Sequence, residues 1–522
     1  MNLALLLLLA QMAPVTAERI ANAAAEPGNW LTYSGNYSGH RYSPLAQINT
    51  TNVARLKPAW IYQVRRTDKF ETTPIVVNGT MYITEPPSNV TALDTVTGRP
   101  IWQYRHSYPD DLRLCCGQVN RGVAILGDLV YVNTVDSHLL ALDARTGQVR
   151  WDVIVADHKH GYSLTAAPLV VKDKIVIGMA GGEYGVRGFL DAYDAKTGQR
   201  AWRFHTVPGP GEKGNETWAG DSWKTGAAAT WVTGTYDAAT NTIFWGTGNP
   251  GPDWNGDVRA GDNLYSDSVI ALDGDTGKLK WHFQFTPHDV HDWDATEVPV
   301  LADAMVRGEL RKVVLFANRN AFYYVLDRQT GAFLAGRAFA KQTWAKGLDD
   351  QGRPQRLPGT FPNEKGVLVY PNVGGATNWF SPSFSPLSGL FYVATRETAG
   401  VYFIGDADYT PGLQFNGGGF RTQPTPDTYG AIRALTPGTG ELKWEFKLLS
   451  PPWSGVMATG GGLVFASAAE GDVMALDAAS GKLLWRFQSG GPANSNPISY
   501  LSGGKQYIAI AMGNSLLNFA LD

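Results

Sequence analysis

Ala92-Leu93-Asp94-Thr95-Val96-Thr97-Gly98-Arg99-Pro100-Ile101-Trp102 is the stretch from which the fold is read. Asp and Thr-Gly at this spacing make a tight turn between two strands, and the Trp opens the strand that follows. The pattern returns at Asp143, Thr146-Gly147 and Trp151, at Asp194, Thr197-Gly198 and Trp202, and at Asp273, Thr276-Gly277 and Trp281. A late copy runs Asp477, Ser480-Gly481, Trp485. Two copies are eroded: Asp327 with Thr330-Gly331 has Ala335 where the Trp belongs, and Thr439-Gly440 with Trp444 has Thr436 for the Asp. Early Trp positions lie 49, 51 and 79 residues apart and the last two 41. Periods of about 40–50 residues with short alternating runs such as Leu129-Val130-Tyr131-Val132 signal a β-propeller. Seven copies and a leading segment, Leu56-Lys57-Pro58-Ala59-Trp60-Ile61-Tyr62, predict an all-β, eight-bladed β-propeller. The strand around Trp60 should complete the last blade beside Tyr507–Ala511, leaving no free edge. Longer gaps, near 205–225 and 336–380, are expected to be insertions over one end, where ligands bind.

Composition agrees. The 522 residues carry 59 Gly and 17 Trp but only 17% charged residues, as turn-rich β structure does. A net charge of −3 gives no reason to expect nucleic acid or an anionic membrane surface as partner. Leu3 to Ala10 is apolar but too short for an integral membrane span. With Val15-Thr16-Ala17 as a small-residue cleavage site, residues 1–17 read as a signal peptide and 18–522 as a single propeller domain. An exported chain can keep a disulfide.

Function is expected where the repeat is broken. Leu114-Cys115-Cys116-Gly117-Gln118-Val119-Asn120-Arg121-Gly122 holds the only two cysteines. Adjacent Cα atoms are about 3.8 Å apart, shorter than an ordinary disulfide prefers. A bond between the two would make a strained, hard ledge suited to a planar ligand. Two thiols packed as small hydrophobes is the other reading. Glu71 opens an apolar strand. Gly181-Gly182-Glu183-Tyr184-Gly185-Val186-Arg187-Gly188 is a glycine-rich turn with one carboxylate, and Gly246-Thr247-Gly248-Asn249-Pro250 ends a strand with an amide. His288-Asp289-Val290-His291-Asp292-Trp293-Asp294 is acidic, and Asn318-Arg319-Asn320 and Thr377-Asn378-Trp379 add polar groups. These stretches fall in different blades near the innermost strands, so a propeller would gather them at its central channel. Glu183, Asn249 and Asp292 supply oxygen ligands for a hard cation; no zinc set and no hydrolase triad is present.

These motifs together resemble the pyrroloquinoline-quinone (PQQ)-dependent alcohol dehydrogenases of the methanol/ethanol dehydrogenase family. The likeness spans the mature chain, and its Trp repeat resembles that fold's tryptophan docking motif. It implies a vicinal disulfide of Cys115 and Cys116 on one face of the quinone and Trp231 under the other. It implies polar contacts to the cofactor from Glu71, Arg121, Thr165, Arg319 and Asn378, backbone contacts from Gly181 and Gly182, and Trp453 beside quinone and substrate. Glu183 and Asn249 match metal ligands, and Asp292 matches the general base. Ala180 and Ala229 replace a Ser and a Thr common in relatives, so two cofactor hydrogen bonds are expected to be missing.

The resemblance implies periplasmic oxidation of a primary alcohol to an aldehyde, with a bound cation as Lewis acid and Arg319 supporting charge that develops on oxygen. Both cysteines being spent, no Cys-x-x-Cys-His haem site exists, and a separate soluble cytochrome c is the implied electron acceptor. A homodimer is compatible with the sequence. A sugar or polyol dehydrogenase of the same cofactor class is the nearest alternative. A non-catalytic propeller scaffold for protein assembly leaves the Cys pair and the acids unexplained. Asp294 stands two residues after Asp292. In a strand-like segment both carboxylates can face one ion. The resemblance to relatives that carry an acid here and use lanthanides, together with the count of carboxylates, favours a lanthanide ion over calcium as the metal. The other reading is that Asp294 turns aside and pairs with a nearby Lys or Arg.

Overall fold

Asp94 shows why the repeat turns. Its Oδ1 accepts from the Val96 N–H at 3.2 Å, the Thr97 N–H at 2.8 Å and the Thr97 hydroxyl at 2.7 Å. Gly98, at φ +70°, donates its N–H to the Asp94 carbonyl at 2.9 Å. A side chain there would be strained and would stand 2.4 Å from the Trp60 ring. The glycine thus makes the turn and leaves room for an indole from the neighbouring sheet. At the eroded copy the Gly440 N–H still donates to the Thr436 carbonyl at 2.8 Å.

The computed structural model describes residues 14–65 and 69–522. Among them the chain forms successive antiparallel sheets of four strands. Numbered along the chain, they cover 75–104, 124–154, 169–205, 235–284, 300–338, 383–448, 457–488 and 498–520. Sheet 7 gains the two-residue strand Tyr42–Ser43, and sheet 8 takes Lys57–Gln63 as its outer strand, paired with Ser515–Ala520. The strand of Trp60 therefore completes the last sheet, as expected. Indoles stitch consecutive sheets. Trp60 donates to the Thr95 carbonyl, Trp102 to Ala144, Trp151 to Ala195, Trp202 to Gly274 and Trp444 to Ala478. Trp485 in sheet 7 donates to Leu56 at 3.0 Å, just before the outer strand of sheet 8. At sheet 5, where Ala335 replaces the Trp, Tyr323 does the work. Its ring lies where a Gly440 side chain would meet it at 2.6 Å, and its hydroxyl donates to the Pro437 carbonyl at 2.9 Å.

Both expected insertions are present, and a third was not foreseen. The stretch 206–234 carries short 3-10 turns, and 339–382 carries the hairpin Ala345–Leu348 with Pro354–Arg356. The third lies inside sheet 6: Ala399–Ile404 and Gly418–Gln423 form a hairpin that pairs with Val367–Val369. The expected signal peptide lies largely outside the described residues. Its expected cleavage site is folded. Val15 is buried and exchanges backbone hydrogen bonds with Gly127, and Thr16 caps the helix Ala17–Ala21. No helix among the described residues is long and apolar enough to cross a membrane.

Candidate active site

The site is built from the segments that enter the innermost strands. Glu71, Arg121, Thr165, Trp231, Asp294, Asn378 and Trp453 each stand a few residues before the first strand of sheets 1 to 7 in turn. Glu183, Asn249 and Arg319 each follow the second strand of sheets 3, 4 and 5. All these positions therefore meet at one end of the sheets. They line one cavity of about 210 Å³, together with Cys115, Cys116, Gly181, Gly182 and Asp292. The cavity thus takes in every site residue expected from the sequence.

Arg121 anchors one side. It pairs with Glu71 at 2.7 Å, donates to the Thr165 hydroxyl at 2.9 Å, and lies 4.8 Å from the ring centres of both Trp231 and Trp379. Burial raises the Glu71 carboxyl, against the pull of Arg121. Arg319 anchors the other side. Its Nη1 donates to the Asp292 carbonyl at 2.7 Å and to Asp294 Oδ2 at 3.0 Å. Asp294 also accepts from the Trp231 indole at 3.2 Å and, through Oδ1, from the Asn249 N–H at 2.8 Å. Gly248 is required here, because a Cβ would stand 2.3 Å from Asp294 Oδ1.

The acids crowd one another. Asp292 is raised well above the carboxylate range by its depth in the molecule and by Asp294, Asp253 and Glu183, with Arg319 opposing. Asp294 is raised by burial and Glu183, again against Arg319. Asp292 keeps 21% of its side chain accessible, and that surface lines the cavity, so a small molecule can reach it. The expectation that Asp292 and Asp294 lie in a strand does not hold. Residues 290–294 are irregular, and Asp292 is left-handed at φ +59°. Both reach the cavity by that turn rather than by strand alternation.

Cys115 and Cys116 stand as two unbonded thiols, the first half-buried against the core and the second exposed. Cys116 Sγ lies 3.6 Å from Glu183 Oε1. The Cys115 thiol is raised by a hydrogen bond with the Cys116 thiol, by burial and by Glu183. Among the described residues, these two and Glu183 are the one set of three His, Cys, Asp or Glu side chains whose ligand atoms all lie within 4.8 Å of one another. Glu183, Asp292 and Asp294 do not form such a set, and Asp294 accepts from Arg319 and Trp231.

The residues fit a planar, anionic cofactor and a hard cation. Nε of both Arg121 and Arg319 is buried without a hydrogen-bond partner, ready for carbonyl or carboxylate oxygens. Ala180 and Ala229 line the cavity as expected and offer no side-chain bond. Lys69, Ser163 and Trp379 also line it and were not foreseen. Trp379 was legible in principle, since it stands off the repeat as Trp231 does.

Comparison with known proteins agrees with this geometry. Residues 30–338 match the family model "Glucose/ethanol/alcohol dehydrogenase, beta-propeller domain", and residues 428–518 match "Outer membrane protein assembly factor BamB". The quinoprotein alcohol dehydrogenase PedH of Pseudomonas putida is 40% identical, with 98% of this chain and 90% of that protein covered. A quinoprotein ethanol dehydrogenase of Pseudomonas aeruginosa is 38% identical over 96% of this chain and 88% of its own length. A solved europium-containing methanol dehydrogenase superposes with a TM-score of 0.92 at 33% identity, covering 97% of this chain and all of that one. The chain belongs to the PQQ-dependent β-propeller alcohol dehydrogenases.

Proposed function

We propose that this enzyme oxidises a primary alcohol to an aldehyde, with PQQ and a metal ion in the cavity lined by Asp292 and Arg319. The observation that carries this reading is that fifteen residues singled out for these roles line one cavity. Glu71, Arg121, Thr165, Gly181, Gly182, Arg319, Asn378 and Trp453 would hold the quinone, with Cys115–Cys116 as a disulfide and Trp231 against its faces. Glu183, Asn249, Asp292 and Asp294 would hold the ion. When bound, the quinone supplies a two-electron acceptor and the ion a Lewis acid.

The chain's own part follows from its geometry. Asp292 accepts the alcohol proton at its carboxylate, which lines the cavity with 21% of its side chain accessible. Arg319 keeps the Asp292 backbone fixed through the 2.7 Å bond to its carbonyl and places a cation where negative charge builds on oxygen. The two Arg121–Trp contacts stiffen the opposite wall. Asp294 adds a third carboxylate to the ion site, and so much negative charge is better offset by a trivalent ion than by calcium. To serve as a ligand, Asp294 would share the carboxylate that now accepts from Arg319 at 3.0 Å.

The reading extends to the whole molecule: eight sheets closed as eight blades, export to the periplasm, electrons passed to a separate soluble cytochrome c, and assembly as a homodimer. A sugar or polyol substrate is the alternative within the same chemistry. The match of 428–518 to a protein-assembly factor takes in, of the proposed site residues, Trp453 alone, so it favours a shared fold over a scaffold role. Purifying the protein and assaying oxidation of short primary alcohols against sugars, with quinone and metal supplied, tests the proposal. Alcohol-dependent reduction of an artificial acceptor supports it, and activity with sugars alone contradicts it.

A further inference from the structure

The loop that carries Asn249 also buries an acid. Asp253 is 2% exposed and does not line the cavity. Asn249 Nδ2 donates to Asp253 Oδ1 at 2.8 Å and to the Pro250 carbonyl at 3.4 Å. A carbonyl only accepts, so the amide nitrogen faces the loop. Oδ1 is then the atom left for the cavity that Asn249 lines.

The loop cannot drift from this arrangement, because it is fastened on both flanks. Arg259 is fully buried and donates Nε and Nη2 to the Pro252 carbonyl at 3.1 and 3.0 Å. Its Nη1 donates to Asn263 Oδ1 at 2.9 Å. On the other flank, the Trp254 N–H donates to the Asn416 carbonyl at 3.0 Å, and Asn255 Nδ2 donates to the Gly405 carbonyl at 2.9 Å. These partners come from the hairpin inserted in sheet 6.

An Asn amide has a donor end and an acceptor end, and its last torsion is broad and roughly two-fold. Only the oxygen serves a hard cation. Without Asp253, the single bond that selects between the two orientations is the long one to Pro250. A cation in the cavity further favours ionised acids around it.

We propose that Asp253 is a positioning residue that pins the Asn249 amide with Oδ1 toward the cation site. This rests on the metal reading given under Proposed function and adds a residue to it. Asp253 touches neither ion nor substrate; it acts through Asn249.

The test measures bound metal rather than turnover. The full chain, reconstituted with quinone, is dialysed to equilibrium against terbium(III), and protein-bound terbium is counted by mass spectrometry. Asp253→Ala should weaken binding about 10–100-fold, the usual cost of losing an outer-shell partner. Asp253→Asn keeps an accepting oxygen opposite Nδ2 and should recover most of that loss. In an Asn249→Asp background an oxygen faces the cavity in either orientation, so Asp253→Ala should cost no affinity there, whereas a loss caused by disturbing the loop would persist. Wild-type affinity in Asp253→Ala, a loss in Asp253→Asn as large as in Asp253→Ala, or an undiminished loss in the Asn249→Asp background each overturns the positioning role. A wild-type protein that binds no terbium overturns the metal reading itself, and this role with it.

Discussion

Arg319 and Asp294 form a 3.0 Å ion pair through Arg319 Nη1, the same nitrogen that donates to the Asp292 carbonyl. The pair ties the proposed third metal carboxylate to the proposed electrophilic cation. Asp294→Ala should therefore change metal choice before it changes the fold. Metal-free wild type should be activated far better by a light lanthanide than by calcium. The substitution should weaken lanthanide binding by more than about 10-fold and erase the preference. Full activity of the wild type with calcium and no gain from a lanthanide would contradict this.

Asp292→Asn keeps the shape of the side chain and loses its ability to take a proton. Turnover should fall by about 10²–10⁴ with the thermal midpoint unchanged. Metal content is measured on the same sample, because Asp292 also belongs to the proposed ion site. Near-normal turnover at full metal content would remove Asp292 as the base.

Cys115 and Cys116 should be joined in the exported enzyme. Thiol labelling under denaturing conditions should find no free thiol until a reductant is added. Two labelled thiols in active enzyme would show that the covering ledge is not a disulfide.

Two histidines outside the site set an acid limit on stability. His205 is brought down to about 4 by burial and by Arg187 and Arg203. His282 is brought down to about 4 by burial and by Lys213. Both are below the ordinary value of 6.5, so the unfolded chain binds more protons than the folded one between these limits. Their contribution is fully present above pH 6.5, is lost as the pH falls toward 4, and is constant below it. The thermal midpoint should drop across that window, and replacing both with Gln should flatten this part of the profile.

Much of this was legible in the sequence because the repeat fixes where each innermost strand begins. Once Asp94, Asp143, Asp194 and Asp273 mark turns between the third and fourth strands, Glu71, Arg121, Thr165 and Trp231 must precede first strands and share one end. The completion of the last sheet by the strand of Trp60 followed from the same count. What failed depended on contacts between distant segments. Asp292 and Asp294 reach the cavity through a left-handed residue, which alternation along a strand does not foresee. The hairpin 399–423 has no repeat to mark it; its pairing with Val367–Val369 is a tertiary event. Its tip nonetheless holds the site, since the Phe415 N–H donates to the Glu183 carbonyl at 2.6 Å. Asp253 sits inside a glycine- and proline-rich loop, where an acid reads as a solvated turn residue until its burial is seen.

The measurement that bears most directly on the whole account is extraction of the cofactor. Protein reconstituted with excess quinone and metal is freed of unbound ligand, denatured, and its extract analysed by mass spectrometry. The account predicts one PQQ per chain, lost when Trp231 is replaced by Ala or the cysteine pair by Ala-Ala. Recovery of no quinone from wild-type protein that is folded and metal-loaded would contradict it.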